Sequence, residues 1–150
     1  MKGETDMDMR NSKLQRRIGV VVNFASLALF LVIYYSGIHL GWRPLLLATG
    51  AIVTLAIAAA SFLTVHVSTG LWKLGHSHID KLDERQIQVT HEALRHAYAT
   101  FTVIALAIIG FNAVAGSHGH YVFDVVLPVI LVYVAHVLPA SIIAWREKVV

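Results

Sequence analysis

The chain contains no cysteine, which excludes a disulfide framework, a thiolate-held iron–sulfur site and a thiol nucleophile. Charge is scarce as well. Only 14% of the 150 residues are Asp, Glu, Lys or Arg, against roughly 25% in a soluble domain. Hydrophobic residues make up 57%, the mean hydropathy is +0.66, and the apolar residues gather into long runs, so a water-soluble globule is excluded. Strict alternation is missing too. A membrane β-barrel needs alternating segments of roughly 10 residues, and none of these runs alternates. The HExxH helix, the Gly-rich phosphate loop and the Ser–His–Asp order are all absent, so the expectation is a non-enzyme.

What is present is four apolar runs, each long enough for the roughly 20 helical residues that cross a bilayer. They are residues 18–36, 45–67, 97–115 and 122–145. Helices are required, because hydrocarbon offers no partner to an open backbone amide. The expected fold class is therefore all-α: one polytopic membrane domain, a four-transmembrane-helix bundle covering 1–150. The first run exceeds a signal-peptide core and no small-x-small cleavage site follows it, so it reads as an uncleaved anchor. Residues 1–13 read as a flexible tail.

Charge sets the orientation. Lys2, Arg10, Lys13, Arg16, Arg17, Lys73, Lys81, Arg85, Arg95, Arg146 and Lys148 all fall on one side, leaving Arg43 alone on the other. The positive-inside rule places that side, with both termini, in the cytoplasm, so the expected location is the inner (plasma) membrane. Tyr34, Tyr35, Trp42 and Tyr121 anchor the outer boundary, Trp72 and Trp145 the inner one. With the basic residues assigned to topology, no nucleic-acid patch remains. Membrane lipids are the first expected partner.

The one substantial polar segment joins the second and third runs. Gly70 and Gly75 break the second helix, and Ser77-His78-Ile79-Asp80 reads as a capping box. From Asp80 to Ala115 nothing breaks a helix, predicting a long cytoplasmic extension of the third span over 80–96. Leu82, Ile87, Val89, Ala93, Leu94 and Tyr98 collect on one face, charged residues on the other. That apolar face either packs on the protein's own inner loops or docks a second copy or another membrane protein. Leu82, Asp83, Glu84, Arg85, Val89 and Leu94 are its candidate partner-binding residues.

Leu82-Asp83-Glu84-Arg85-Gln86, opening a helix that leads into a span, resembles a group of small prokaryotic multi-span membrane proteins of unknown function that carry a juxtamembrane Asp-Glu-Arg motif. The likeness covers Lys81 to Thr102. It implies an integral membrane protein of accessory or regulatory role, and it transfers no catalytic residue. Read physically, these acidic residues suit the positive end of a helix dipole.

Polar groups at membrane depth are expensive and mark candidate sites. They are His66, His136 and Asn23. His66 is expected at the headgroup level, and His136 against a neighbouring helix or in a small hydrated pocket. The two differ in height by roughly 10 Å at 1.5 Å per residue, which argues against a bis-histidine haem. On the outer face His118 and His120 share a loop, with Asp124 and His39 as the remaining candidate ligands for zinc or copper. No resident cofactor is expected. Small residues Gly50, Thr54 and Ala58, and Ala105, Gly110 and Ala113, permit close helix packing.

The function expected on these grounds is that of a non-enzymatic accessory, scaffold or regulatory subunit, working through the cytoplasmic helix or through helix packing in a larger assembly. A homo-oligomer fits equally. The alternative is a small metal- or proton-handling transporter using the outer histidines.

Overall fold

The computed structural model describes the backbone of residues 2–76, 82–117 and 124–146, and side chains over 13–73, 82–114 and 124–146. Among these residues the protein is all-α. Helix α1 is Lys2–His39, α2 Pro44–Phe62, α3 Leu71–His76, α4 Glu84–Ser117 and α5 Val126–Arg146. A single π turn, Leu63–Val67, continues α2. Four stretches are long and apolar enough to cross a membrane: Lys13–His39, Pro44–Val67, Glu84–Val114 and Val126–Arg146. The molecule is a multi-pass membrane protein built as a four-helix bundle.

Local chemistry sets the helix ends. Helix α1 closes in a Schellman motif, with Trp42 N–H donating to the Gly37 carbonyl at 2.9 Å and Gly41 N–H to Ile38 at 3.4 Å. Gly41 occupies the left-handed position that motif demands, at φ 64°. Pro44 then opens α2 at a position where its missing N–H costs nothing. At the far end of α2, Ser68 N–H reaches five residues back to Leu63, the π bond, and Gly70 at φ 74° ends the run.

Helix α4 starts at Glu84 rather than at Asp80. The Ser77–Asp80 box lies outside the described residues. A reciprocal capping box sits six residues further on: Gln86 N–H donates to Asp83 Oδ1 at 2.7 Å, and Asp83 N–H to Gln86 Oε1 at 3.2 Å. Asp83 is thus the N-cap and Gln86 the N3 residue. Asp83→Ala is expected to remove about 1 kcal/mol of local helix stability, read as faster hydrogen exchange at Gln86 and Ile87 with the rest of α4 unchanged. The 34 residues of α4 span about 51 Å, longer than a bilayer core. Helix α1 also exceeds expectation. Its backbone is helical from Lys2, where a flexible tail was predicted, because residues 2–13 contain no proline and continue the ladder of the span behind them.

In the bundle α1 lies between α2 and α5, and α5 carries α4 on its other flank. Gly19 lets α1 meet the π turn; a Cβ there would stand 2.0 Å from Val65 Cγ2. The small stripe of α2 faces the same way: Thr54, Ala58 and Ser61 are buried, and Gly50 lies close under Ile33. The main apolar core sits toward the basic end, the end bearing Lys13, Arg16, Arg17 and Arg146. It joins Val20, Val65, Leu71, Ala93, Ala140, Ile143 and Ala144, with Leu82 and Val89 packed against it. Helix α4 is the outlier. Only 6% of its apolar window is buried, against 44% for α5.

Candidate functional site

Polar side chains inside a span must find partners in the protein, and three of the spans here meet around such groups. Asn23 of α1 is fully buried. Its Nδ2 stands 2.9 Å from the Ala58 carbonyl, 3.1 Å from Ser61 Oγ and 3.0 Å from Tyr133 Oη, and shares its two protons among these three acceptors. One amide therefore ties α1 to α2 and α5. Ser26 Oγ adds a bond to the Asn23 carbonyl at 2.8 Å. Asn23 was legible as a polar residue at depth; Tyr133 was not, because a tyrosine in an apolar run reads as one more large side chain.

His66 lies one layer nearer the basic end, within the π turn, and is fully buried among the helices. Its Nε2 is 2.9 Å from Ser141 Oγ, and Ser141 Oγ lies 3.0 Å from the Val137 carbonyl. The direction of the His66–Ser141 bond follows the ring tautomer, and Nδ1 is buried without a hydrogen-bond partner. The ring stacks on Phe62 at 5.3 Å between centroids, and Phe62 in turn meets Trp72 edge-on at 5.2 Å. A π turn supplies one extra residue per helical turn, and such turns concentrate at functional sites. Here it swings His66 into the bundle.

His136 does the opposite. It is exposed on the outer surface of α5, and Nδ1 bonds the Val132 carbonyl of its own helix at 2.8 Å. The expected contact with a neighbouring helix is replaced by this local bond. His66 and His136 face different ways and do not converge.

At the opposite end Asp124 opens α5. Its Oδ1 accepts from Val126 N–H at 3.0 Å, from Leu127 N–H at 3.3 Å and from the Tyr35 hydroxyl at 2.9 Å. The carboxylate is thus a cap and a tie to α1. His118 and His120 lie outside the described residues. His39 sits in the last turn of α1. Among the described residues no three His, Asp or Glu side chains stand where they could hold one metal ion.

The Asp124 carboxyl is held below its ordinary value. Burial alone would raise it, but hydrogen bonds from the Tyr35 and Tyr34 hydroxyls and from the Leu127 and Val126 amides outweigh burial. A carboxyl that is a stronger acid when folded contributes its full stability above its ordinary value of 3.8. The contribution is lost as pH falls through the depressed folded value. Thermal unfolding in detergent between about pH 6 and about pH 3 is therefore expected to lose less stability in Asp124→Asn than in the parent chain. Equal losses contradict this account of the Asp124 cap and tie.

The candidate partner-binding residues divide. Leu82 and Val89 pack on the protein's own core. Asp83 caps α4, and Glu84 and Arg85 are exposed in its first turn. Leu94 remains half exposed. Sequence reasoning missed the clasp at the basic end. Arg17 donates from Nε and Nη2 to the Trp145 carbonyl at 3.2 and 3.0 Å, and its guanidinium lies 5.0 Å over the Trp145 ring. Lys13 Nζ reaches the Arg146 carbonyl at 3.4 Å. Two cations from α1 thereby satisfy the open carbonyls at the negative end of α5. The Arg16-Arg17 pair before an apolar run was the available signal. Comparison with models of protein families, with curated proteins and with solved structures finds no match.

Proposed function

We propose that the protein is a non-enzymatic accessory, scaffold or regulatory subunit that works by helix packing in a larger membrane assembly, with α4 as the contact helix. One observation carries this reading. Within the membrane α4 is held on one flank by α5 and leaves a long face open, with Val103, Leu106, Ile109, Phe111 and Val114 all exposed by more than half. The same side carries Gly110, where an added Cβ would meet nothing within 4 Å, so the backbone there is free to be approached closely. Asn23, Ser26, Thr54, Ser61 and Ser141, all buried, bond one another or backbone carbonyls, an arrangement that holds helices together. The resemblance of Leu82–Gln86 to small prokaryotic multi-span membrane proteins of unknown function, which implies an accessory or regulatory role, points the same way. In this reading the basic end, with its lysines and arginines, faces the cytoplasm and the membrane is the inner membrane.

The test is photo-crosslinking in native membranes, with a photoreactive residue at Leu106 and a control at Ile52 on the exposed side of α2. A discrete adduct from Leu106 and none from Ile52 is expected. An adduct of twice the chain mass identifies the partner as a second copy. No adduct from either position, or the same adducts from both, removes the proposal.

A further inference from the structure

At the basic end α1, α4 and α5 do not close on one another. They leave a lateral cleft of about 360 Å³, within the roughly 300–1,000 Å³ typical of ligand pockets. Its walls are apolar, with Val20 and Phe24 from α1 and Ile142 from α5. Its rim is not: Arg146, the last residue of α5, and His96 of α4 stand at the opening beside Trp145. No carboxylate lines the cleft among the described residues. Arg17 and Lys13 reinforce the positive rim, lying against the Trp145 and Arg146 carbonyls.

We infer that this cleft is a binding site for one anionic phospholipid, with an acyl chain between α1 and α4 and the phosphate at the Arg146–His96 rim. Three properties select that occupant over others. The cleft opens sideways to the bilayer, where chains rather than water are the available filling. It sits at the end of the spans, the height of a headgroup. Its charge complements a phosphate, and basic pockets between membrane helices suit acidic headgroups. A zwitterionic lipid would match the walls but bring its own ammonium to a rim that is already positive. Ser141, which lines the cleft, also receives the His66 ring, so the occupant lies against the interior polar core.

Trp145 reports on the cleft directly. In a Trp42→Phe/Trp72→Phe variant it is the single tryptophan, and acyl chains brominated near the headgroup quench it on contact. Vesicles carry brominated phosphatidylglycerol or brominated phosphatidylcholine at equal mole fraction. Phosphatidylglycerol is expected to quench at an apparent affinity about five-fold higher, the equivalent of about 1 kcal/mol for one basic residue at a membrane surface. Arg146→Gln removes that preference while quenching by phosphatidylcholine persists, which also shows the variant to be folded and inserted. Thr100→Phe, which fills the cleft, lowers quenching by both lipids. Arg95→Gln, a basic change on α4 away from the cleft, leaves the preference intact. The inference is overturned by equal quenching in the parent chain. It is equally overturned by a preference that survives Arg146→Gln, by one that Arg95→Gln abolishes as well, or by quenching indifferent to Thr100→Phe.

Discussion

Gly19→Leu is expected to destabilise the bundle by about 1–3 kcal/mol, the range for forcing volume into a packed site. At this position even a Cβ falls 2.0 Å from Val65 Cγ2, a separation no real pair of carbons tolerates. Val65 has little room to yield, being 4% exposed and part of the main core. Two effects oppose one another in the milder Gly19→Ala. Helix propensity gains up to about 1 kcal/mol, while the clash with Val65 takes at least as much back. Leucine decides the sign because its extra carbons add volume with almost no further gain in propensity. Unfolding of the detergent-solubilised protein by SDS measures the loss. Val65→Ala has its own cost as a core truncation, so the contact is read from the cycle: Gly19→Ala should cost less in the Val65→Ala background than in the parent chain, because the obstructing methyls are gone. An equal cost in both backgrounds would place the effect elsewhere than the α1–π-turn contact.

Asn23→Leu is expected to cost about 2 kcal/mol, since hydrogen bonds between membrane helices contribute from about 0.6 up to about 1.7 kcal/mol each and Asn23 makes several. The loss is unequal among its partners. Ser61 Oγ keeps its own bond to the Ala58 carbonyl at 2.9 Å, so it is not stranded. Tyr133 loses both of the contacts it makes with the Asn23 amide. Tyr133→Phe alone should therefore cost less than Asn23→Leu. The double variant should cost less than the sum by roughly 0.6–1.7 kcal/mol, the coupling of one such pair. Strict additivity would mean that the two side chains stabilise the bundle independently. The same SDS titration reads all four members of the cycle.

Hydropathy located the spans because the requirement it measures is severe: a backbone in hydrocarbon must close its own hydrogen bonds over the full thickness. The expected runs 18–36 and 45–67 fall inside Lys13–His39 and Pro44–Val67. Hydropathy says much less about rotation. A helix that is apolar all round has no face written into it, so the directions of His66 and His136 were not legible. His66 turns inward because a π turn, invisible in composition, shifts its register. His136 faces outward, with its ring nitrogen satisfied by the Val132 carbonyl one turn back. Asp83 and Gln86 carried their capping spacing openly, yet Ser77–Asp80 offered the same pattern a few residues earlier, and pattern alone cannot choose between two boxes. Gly19 was silent for a different reason. A single glycine in an apolar run acquires meaning only from the side chain opposite it, and Val65 is 46 residues away in the chain.

The packing also separates what holds the bundle together from the proposed contact face of α4. The Asn23 network and the Gly19 approach join α1, α2 and α5, whereas α4 is joined through small core residues, Ala93 and Ala97, near the basic end. Changes on the open face of α4 should therefore alter association with little effect on unfolding. Changes at Asn23 or Gly19 should do the reverse.

The arrangement of chain ends and turns about the bilayer is the premise beneath all of these arguments, and labelling of single cysteines tests it without background because the native chain has none. Gln15→Cys, Gln88→Cys and Leu40→Cys are exposed to an impermeant maleimide in intact cells and again after lysis. Leu40→Cys is expected to label in intact cells, and Gln15→Cys and Gln88→Cys only once the membrane is opened. Labelling of Gln15→Cys and Gln88→Cys from opposite sides, or of Leu40→Cys from the same side as either, would contradict the four-span bundle.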